Sequence, residues 1–348
     1  MTNKKRIAVI GASGYAGAET VRLIAGHPHV TLSLLTSRQY AGMSYDTVFP
    51  SLTGRIKQQC EIFSPDEAIQ KADIFFLALP HKTSMSVAAP LIHAGKIVID
   101  LSADFRFKFL NNYETHYQQH EEPELLSKSV YGLCEIYKDQ IQSAKLIGNP
   151  GCYPTSILLP LIPLLKERII KSQGIIADSK SGVSGAGRSP SLGTLYCEVN
   201  EGFKAYKVGN HRHAPEMNEN LSLAANTDVN ILFVPHLVPM SRGIVSTVYA
   251  QCNMNTNENQ ILDCLNNAYD KSPFIRILPE GHIPNAAHVR GTNYCDIGVK
   301  YLPEQDTCVI VSAIDNLIKG AAGQAIQNMN IIMGFSETDG IDMIPFPI

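Results

Sequence analysis

The chain has 348 residues, of which 45% are hydrophobic and 18% charged, and its formal net charge is −3. This composition is typical of a folded globular protein, and the length favours two domains over a single core. The weak negative charge gives no general attraction to nucleic acid or to an anionic membrane, so we expect neither as a partner.

The cysteines and the N-terminal run exclude further classes. The eight cysteines include no CxxC pair, which argues against a zinc ribbon or thioredoxin chemistry, and we expect no bound metal. The run KRIAVIGASGYAG is too short and too glycine-rich for a membrane span and lacks a secretory leader pattern. We therefore expect a cytoplasmic protein with reduced thiols.

Strand-like and helix-like segments alternate over residues 1–150. The sequence predicts strands at 5–11, 30–37, 72–80 and 96–104 and helices at 18–28 and 85–95. This alternation is typical of a parallel sheet with right-handed crossovers. We predict an α/β fold with a Rossmann-type nucleotide domain here.

The pattern changes beyond residue 150. A helix predicted at 154–168 is followed by a long polar stretch to about residue 226, and strands are predicted at 229–239 and 243–253. Apolar positions at helical spacing predict a last helix at 313–334. We expect an α+β second domain, for the substrate or for dimerisation, over 151–314.

The motif GASGYAG opens the first predicted helix directly after a strand. It places Gly11, Gly14 and Gly17 where a tight turn would let backbone amides approach a pyrophosphate. Its spacing is GxxGxxG rather than GxGxxG, and a glycine turn without a ligand is the alternative.

The end of the second predicted strand bears on cofactor choice. It reads LLTSRQ, with Ser37 and Arg38 and no carboxylate to bind ribose hydroxyls. A hydroxyl and an arginine suit a 2′-phosphate, so NADP(H) is favoured over NAD(H). A solvated loop charge is the alternative for Arg38.

The stretch GNPGCYPTS fixes the backbone on both sides of Cys152. Pro154 suits the first turn of a helix, which places Cys152 near a helix N-terminus. Unpaired amides and the helix dipole favour a thiolate there, so Cys152 is our candidate nucleophile. A buried turn whose cysteine merely packs is the alternative.

The segment NHRHAPE is the richest source of a proton acceptor for this thiol. If the segment is extended, alternation puts His211 and His213 on one side and Arg212 on the other. Glu216 either orients a histidine or is a surface carboxylate, and the histidines are otherwise core or surface groups. There is no HExxH spacing for a metal.

From end to end the chain resembles the N-acetyl-γ-glutamyl-phosphate reductase family. The resemblance rests on GASGYAG, LTSRQYAG, ALPH, VIDLSADFR, GNPGCYPT, SGVSGAGR, HRHAPE, FVPHLVPMSRGI, RGTNYCDIG and DNLIKGAAGQAIQNMN. The sequence departs from the family pattern at Lys82, where we expect glycine, and at Cys134, where proline is usual.

The resemblance implies a fold, a reaction and a set of site residues. It implies that Cys152 attacks an acyl phosphate to form a thioester, which NADPH reduces to the semialdehyde, with help from His211 or His213. It also implies that the last helix returns to the first domain, so that residues 1–150 and about 315–348 form the NADP-binding domain. The enzyme is expected to be a homo-oligomer, a dimer or a tetramer, acting on a small molecule. The cofactor-binding residues expected are Gly11, Ser13, Gly14, Tyr15, Gly17, Ser37, Arg38, Pro80, Ser181, Gly182 and Asn316.

Substrate anions require cations. Arg106 closes VIDLSADFR at the carboxyl end of a predicted strand and is the first choice for the substrate phosphate. Weaker candidates, for a substrate carboxylate, are Arg188, Arg212, Arg242 and Arg290, each of which is otherwise a surface or structural charge.

Other functions remain open from sequence. A sister reductase could act on aspartyl phosphate or on a carrier-bound aminoadipyl phosphate. A nucleotide-binding regulator has no use for a positioned thiol, and a redox sensor would need a nearby resolving cysteine.

Overall fold

The computed structural model describes residues 4–254 and 256–347. The chain divides into two compact units. The first unit runs to Pro150 and includes Ala321–Asp342, and the second comprises Gly151–Gly320 and the residues from Met343 onward.

A parallel sheet forms the centre of the first unit. Its strands are β1 (Lys5–Ile10), β2 (Val30–Thr36), β3 (Cys60–Glu61), β4 (Ile74–Leu77), β5 (Ile97–Asp100), β6 (Val130–Tyr131) and β7 (Leu146–Gly148). They lie in the order β3-β2-β1-β4-β5-β7-β6, and all neighbours are parallel. The predicted Rossmann-type sheet is therefore confirmed. Chain order reverses at β1, and open parallel sheets bind ligands at the carboxyl ends of strands beside such a reversal.

Helices connect these strands. They are α1 (Tyr15–Ala25), α2 (Tyr45–Val48), α3 (Pro65–Lys71), α4 (Ser84–His93), α5 (Leu110–His116), α6 (Pro123–Lys128) and α7 (Cys134–Ile141), with a 3-10 turn at Pro50–Leu52. All four residues of β4, IFFL, are buried, as expected for a central strand covered on both faces. Phe75 and Leu77 belong to a buried apolar core that continues into α4.

A mixed sheet forms the second unit, as the α+β prediction requires. Its strands are β8 (Ile176–Gly182), β9 (Lys204–Ala205), β10 (Leu232–Val238), β11 (Ile244–Gln251), β12 (Ile275–Ile277), β13 (Cys295–Leu302) and β14 (Thr307–Ile314). Their order is β12-β13-β14-β11-β8-β10-β9, with β8–β10 and β12–β13 parallel and the other pairs antiparallel.

The helices of this unit are α8 (Cys152–Lys166), α9 (Tyr196–Val199), α10 (His213–Ala225) and α11 (Glu258–Tyr269). Short 3-10 turns lie at Val183–Ala186, Leu192–Thr194, Ala286–His288 and Pro303–Gln305. All residues of α8 from Tyr153 to Leu165 are buried, which marks it as the core helix of the unit.

Two prolines lie inside α8 without ending it. A proline removes the N–H that would bond the carbonyl four residues earlier. For Pro160 that carbonyl belongs to Ser156, and it accepts from Ser312 Oγ at 2.6 Å instead. For Pro163 it belongs to Leu159, and the Tyr269 hydroxyl donates to it. Neighbouring elements therefore replace both lost helical bonds.

The end of the chain differs from the prediction of one helix at 313–334. β14 continues to Ile314, a π-helical turn spans Ile318–Ala322, and α12 covers Gly323–Met333. Asp315 ends the strand, because its carboxylate accepts from the amides of Leu317 at 2.9 Å and Ile318 at 3.1 Å. The chain enters the first unit at Ala321 rather than near residue 315.

Candidate active site

Cys152 is the first residue of α8, and Gly151 is its N-cap. The thiol is partly exposed and reduced. The unpaired amides of the first helical turn and the helix dipole favour a thiolate at this position. The structure therefore shows the N-terminal placement that the sequence predicts.

The HRHAPE segment is not extended, so the condition for placing His211 and His213 on one side by alternation is not met. Arg212 has helical backbone angles (φ −59°, ψ −19°), and α10 begins at His213. The long polar stretch therefore contains a helix, which packs against α8. Arg212 itself is exposed at the N-cap of α10.

Glu216 links α10 to the turn that carries the thiol. Its side chain is 0% exposed, and Oε1 accepts from the Gly151 amide at 2.9 Å. A buried carboxylate that accepts a backbone N–H forms a strong, charge-assisted bond. Glu216 is thus a fixed structural partner of the N-cap rather than a surface carboxylate.

The two histidines occupy different positions. His213 packs directly on Gly151, because a Cβ there would lie 2.6 Å from His213 Nε2. His211 accepts the His213 amide with Nδ1 at 3.1 Å, and the ring centroids are 4.9 Å apart. Burial lowers the pKa of His211 to about 4. His211 is therefore neutral at pH 7. The packing on Gly151 shows that the imidazole beside the thiol-bearing turn is that of His213.

Aromatic rings that the sequence analysis missed enclose His211. The centroids of Tyr153, Tyr206 and Phe233 lie 5.5, 5.5 and 5.3 Å from it. The hydroxyls of Tyr153 and Tyr206 are 3.2 Å apart, and burial raises the pKa of Tyr206 to about 12. Both phenols stay protonated at pH 7. Only the position of Tyr153 beside Cys152 could have drawn attention to them.

A second turn contacts the thiol residue from the C-terminal part of the unit. Gly320 lies so close that a Cβ on it would be 2.7 Å from Cys152 Cβ and 3.2 Å from Cys152 Cα. Asp315 is fully buried and holds this turn, and Arg242 Nε lies 3.1 Å from its Oδ2. Arg242 therefore forms a structural ion pair, in agreement with the alternative of a structural charge.

Asn316 anchors the turn that follows β8. It is 2% exposed, its Oδ1 accepts from the Gly243 amide at 2.7 Å, and its Nδ2 donates to Ser184 Oγ at 2.9 Å. Ser181 and Gly182 end β8, where Gly182 has no room for a Cβ because the Met240 carbonyl oxygen would lie 2.9 Å away. The predicted cofactor contacts on this side thus form a packed polar turn.

The predicted phosphate ligand Arg106 is 5% exposed in the first unit. Its Nε donates to the Asn149 carbonyl and its Nη2 to the Leu101 carbonyl, both at 2.7 Å. Arg106 therefore fixes the backbone of GNPGC just before the thiol. Arg188 is half-buried after the turn Val183–Ala186, and Arg290 is exposed.

The three glycines of GASGYAG serve different needs. Gly11 has φ +84°, and a Cβ there would meet the Ala78 carbonyl oxygen at 2.4 Å. A Cβ on Gly17 would lie 2.3 Å from the Gly11 carbonyl oxygen. Gly14 is the N-cap of α1 and has no atom closer than 3.8 Å to its ideal Cβ. The first two close the turn, and the third leaves room above the amides of α1, which suits a pyrophosphate.

The serine hydroxyls around this turn form hydrogen bonds that stabilise it. Ser13 Oγ and Ser37 Oγ are 2.8 Å apart, and Ser37 Oγ accepts from the Tyr40 amide at 3.3 Å. Arg38 is exposed after β2, and Tyr15 is exposed at the first position of α1. Of the hydroxyl and the arginine predicted for a 2′-phosphate, Arg38 is therefore the one that lies on the surface.

The loop after β4 explains the departure at Lys82. Lys82 has φ +73°, the backbone region that favours glycine. Asp104 holds the loop by accepting from the amides of Lys82 at 2.8 Å and Ser84 at 3.0 Å. Pro80 lies exposed just before it. Burial and the charge of Asp104 raise the pKa of neighbouring Asp100 to about 7.

The second departure from the family pattern, Cys134, lies at the first position of α7. Proline is well tolerated at that position of a helix, which accounts for its usual presence there. Cys134 is fully buried, so its packing replaces that of the ring.

Comparisons with known proteins match both units. The family model described as "Semialdehyde dehydrogenase, NAD binding domain" matches residues 6–144, and "Semialdehyde dehydrogenase, dimerisation domain" matches residues 152–316. A relative from Desulforapulum autotrophicum named N-acetyl-gamma-glutamyl-phosphate reductase is 52% identical over 340 residues, covering 98% of this chain and 99% of its own. One of the same name from Geobacter metallireducens is 52% identical over 343 residues, with the same coverage.

The chain belongs to the N-acetyl-gamma-glutamyl-phosphate reductase family. The resemblance is confirmed, and with it the prediction of an oxidoreductase that uses a nicotinamide cofactor.

Solved structures share the fold of this family at low sequence identity. Aspartate semialdehyde dehydrogenase II from Vibrio cholerae is 16% identical with a TM-score of 0.73, covering 95% of this chain and 99% of that one. The Candida albicans aspartate semialdehyde dehydrogenase, solved with NADP, is 15% identical with a TM-score of 0.69 and the same coverage.

Residues 4–254 and 256–347 contain neither a cluster suited to a metal ion nor a helix suited to a membrane. No three or more His, Cys, Asp or Glu side chains there are grouped to hold a metal ion. No helix in these ranges has the length and apolar character needed to cross a membrane.

Proposed function

We propose that this chain reduces N-acetyl-γ-glutamyl phosphate to N-acetyl-L-glutamate 5-semialdehyde and phosphate, with NADPH, in arginine biosynthesis. The observation that carries the proposal is the Cys152 thiol at the first position of α8, beside the His213 imidazole, in a chain 52% identical to reductases of that name. A thiol so placed is a nucleophile for an acyl group.

Cys152 begins the reaction. Its sulfur attacks the γ-acyl carbon, the C–O bond to phosphate breaks, and a thioester remains on the enzyme. A bound NADPH supplies the hydride that reduces the thioester carbonyl. The resulting thiohemiacetal on Cys152 collapses to the aldehyde and returns the thiolate, which the α8 amides stabilise.

His213 is the proposed acid and base. It packs against Gly151, next to the nucleophile, and can take the thiol proton and later exchange a proton with the thiohemiacetal oxygen. His211 is the proposed positioning group, because it is neutral and accepts the His213 amide. Glu216 accepts from the amide of Gly151, the N-cap of α8, and so fixes the backbone that orients the thiol toward the substrate.

NADP(H) is the proposed cofactor within the nicotinamide class. Gly11, Gly14 and Gly17 would cradle the pyrophosphate, with Ser13 and Tyr15 beside it, and the exposed Arg38 would pair with the 2′-phosphate. The remaining proposed contacts are Ser37, Pro80, Ser181, Gly182 and Asn316. Arg38→Ala should weaken NADPH binding far more than NADH binding in a fluorescence titration. Equal losses for both cofactors would remove Arg38 from the proposal.

The proposed anion ligands are arginines. Arg106, whose Nε and Nη2 donate to the backbone carbonyls before the thiol, is the proposed ligand of the substrate phosphate. Arg188 and Arg212 are the candidates for the substrate carboxylate.

We further propose that the first unit binds the cofactor, that the second carries the catalysis, and that the enzyme works as a cytoplasmic homo-oligomer. The description of the matched family model as a dimerisation domain supports the last point. Light scattering of the purified protein tests it, and a monomer at micromolar concentration would contradict it.

The deciding experiment is phosphate-dependent reduction of NADP⁺ by N-acetylglutamate γ-semialdehyde, with wild type beside Cys152→Ala. We expect phosphate-dependent turnover that disappears in the variant. A variant that keeps its rate would refute the thioester route. Wild type that binds NADPH but turns over only aspartyl or aminoadipyl phosphate would refute the substrate assignment alone.

A further inference from the structure

Lys319 is the one lysine among the largest wholly buried side chains of the described ranges 4–254 and 256–347. Its exposed fraction is 0%, and Nζ lies 5.8 Å from the centroid of the Phe274 ring. Lysine is almost never fully buried, because removing an ammonium group from water costs several kcal/mol unless it is well paired. The mechanism above gives this cation no role.

Lys319 lies in the turn that contacts the nucleophile. It is the second residue of the π-helical turn Ile318–Ala322, and Gly320, which follows it, would place a Cβ 2.7 Å from Cys152 Cβ. Such π turns are rare and occur frequently at functional sites. A shift of the Lys319 backbone would therefore also shift the next residue, Gly320, which contacts Cys152.

The turn is fixed at its start by hydrogen bonds and ion pairs. Asp315 accepts from the amides of Leu317 and Ile318, and its carbonyl accepts from the Gly320 amide at 2.9 Å. The Asp315 carboxylate also pairs with Arg242. The middle of the turn carries the long, wholly buried side chain of Lys319, whose Nζ lies over the Phe274 ring.

Filling space does not explain a lysine here. A methionine has nearly the same length and would fill the same volume without the cost of desolvating a charge. A positive charge near a thiol, however, favours the thiolate. Several charged or titratable residues lie on the elements that pack at the thiol-bearing turn: Tyr153 from α8, His213 and Glu216 from α10, Tyr206 and His211 from the segment before α10, and Lys319 and Asp315 from the π-helical turn and its start, with Arg242 paired to Asp315.

We infer that Lys319 is a positioning residue for the nucleophile: its buried ammonium anchors the π turn against Cys152 and favours the thiolate. This inference rests on the proposed role of Cys152. It predicts that charge at position 319, and not only volume, sets the reactivity of the thiol.

The test compares three variants of the full-length protein with wild type. Lys319→Met removes the charge and keeps the length, Lys319→Arg keeps the charge, and Lys271→Met removes an exposed lysine as the matched control. The second-order rate of alkylation by iodoacetamide is followed from pH 5.5 to 9.5, with the peptides that carry Cys152 and the exposed Cys197 quantified by mass spectrometry.

We expect Lys319→Met to lower the alkylation rate of Cys152 at pH 7 by about tenfold and to move its pH midpoint upward, with Cys197 unchanged. The kcat should fall in parallel, while Lys319→Arg stays within about threefold of wild type and Lys271→Met matches it. An unchanged Cys152 profile in Lys319→Met would overturn the inference.

Other results also discriminate. If Lys319→Met does not fold, Lys319→Arg decides, because a tenfold change in Cys152 reactivity with the charge retained would equally overturn the inference. If wild-type Cys152 reacts no faster than Cys197, the proposed function itself fails. A fast wild-type thiol that is indifferent to residue 319 removes only the role of Lys319.

Discussion

Gly320→Ala tests the contact on which the geometry of the thiol depends. The new Cβ would lie 2.7 Å from Cys152 Cβ, whereas carbon atoms prefer about 3.5–4.0 Å, so the overlap is roughly 1 Å. Both partners are close to the backbone and cannot rotate away. Overpacking of this kind costs about 1–3 kcal/mol, and the gain in helix propensity from alanine offsets about 1 kcal/mol of it.

The net loss in the free energy of unfolding is therefore about 0–2 kcal/mol, a fall in Tm of a few degrees. The effect on catalysis should be larger, because a displacement of about 1 Å can lower a rate about 100-fold. We expect kcat for phosphate-dependent NADP⁺ reduction to fall by about two orders of magnitude while the protein stays folded.

The matched control is Gly193→Ala, at an exposed glycine whose ideal Cβ has no neighbour closer than 3.7 Å. It should leave kcat and Tm at wild-type values. The reasoning would be refuted by a Gly320→Ala variant with kcat within twofold of wild type, since the thiol would then tolerate a displaced turn.

Three further predictions concern a side-chain contact, a left-handed backbone angle and a raised pKa. Gly151→Ala would press its Cβ to 2.6 Å from His213 Nε2, so steady-state kcat should fall at least about tenfold with little change in Tm, and full activity would contradict the assignment of His213. Lys82→Gly relieves a left-handed backbone and should raise the free energy of urea unfolding by about 0.5–1 kcal/mol, whereas Lys82→Ala should not. Because burial raises the pKa of Asp100 above its ordinary value of 3.8 to about 7, the folded state favours its protonated form. That stability is complete below pH 4 and is lost as the pH rises to about 7. The free energy of unfolding of wild type should therefore decline relative to that of Asp100→Asn over this interval, and parallel curves would refute the shift.

The elements that the sequence predicts well are those with one dominant local signal. β1 and β2 are apolar runs that stop within one residue of the predicted end, at a glycine and at a hydroxyl residue, whereas β4 lies inside its predicted range but ends at Leu77, three residues before Pro80. The start of α8 follows from a glycine and a proline that admit few other conformations. The glycine before Cys152 and the proline after it were therefore enough to place the cysteine at a helix N-terminus.

The failures come from patterns that tertiary contacts decide. Ala313 and Ile314, the first two residues of the predicted last helix, fit a helix as well as a strand, and pairing with β11 and β13 makes them the end of β14. The order His211, Arg212, His213 would alternate in a strand, yet α10 begins at His213, and from this helix the Glu216 carboxylate accepts from the Gly151 amide.

The polar residues of the last helix, α12, also could not be placed from the sequence. Gln324, Gln327, Asn328 and Asn330 are all fully buried, although such residues usually mark a solvent-facing side. Gln324 and Asn328 both donate to the Gly132 carbonyl, at 2.9 and 2.8 Å, and Asn330 lies 3.0 Å from His27 Nε2. Partners so distant along the chain leave no local trace in the sequence.

The hydrogen bonds that attach α12 to the first unit have a consequence for folding during the synthesis of the chain itself. A ribosome that has released residues 1–150 has made every strand of the first sheet, yet Gly132 and His27 still lack the amides that bond them in the finished unit. Residues Gly151–Gly320 of the second unit must emerge before those amides do. A nascent chain would thus complete its later half first, and a fragment cut at Pro150 should bind chaperones or aggregate unless Ala321–Asp342 is supplied as a separate peptide.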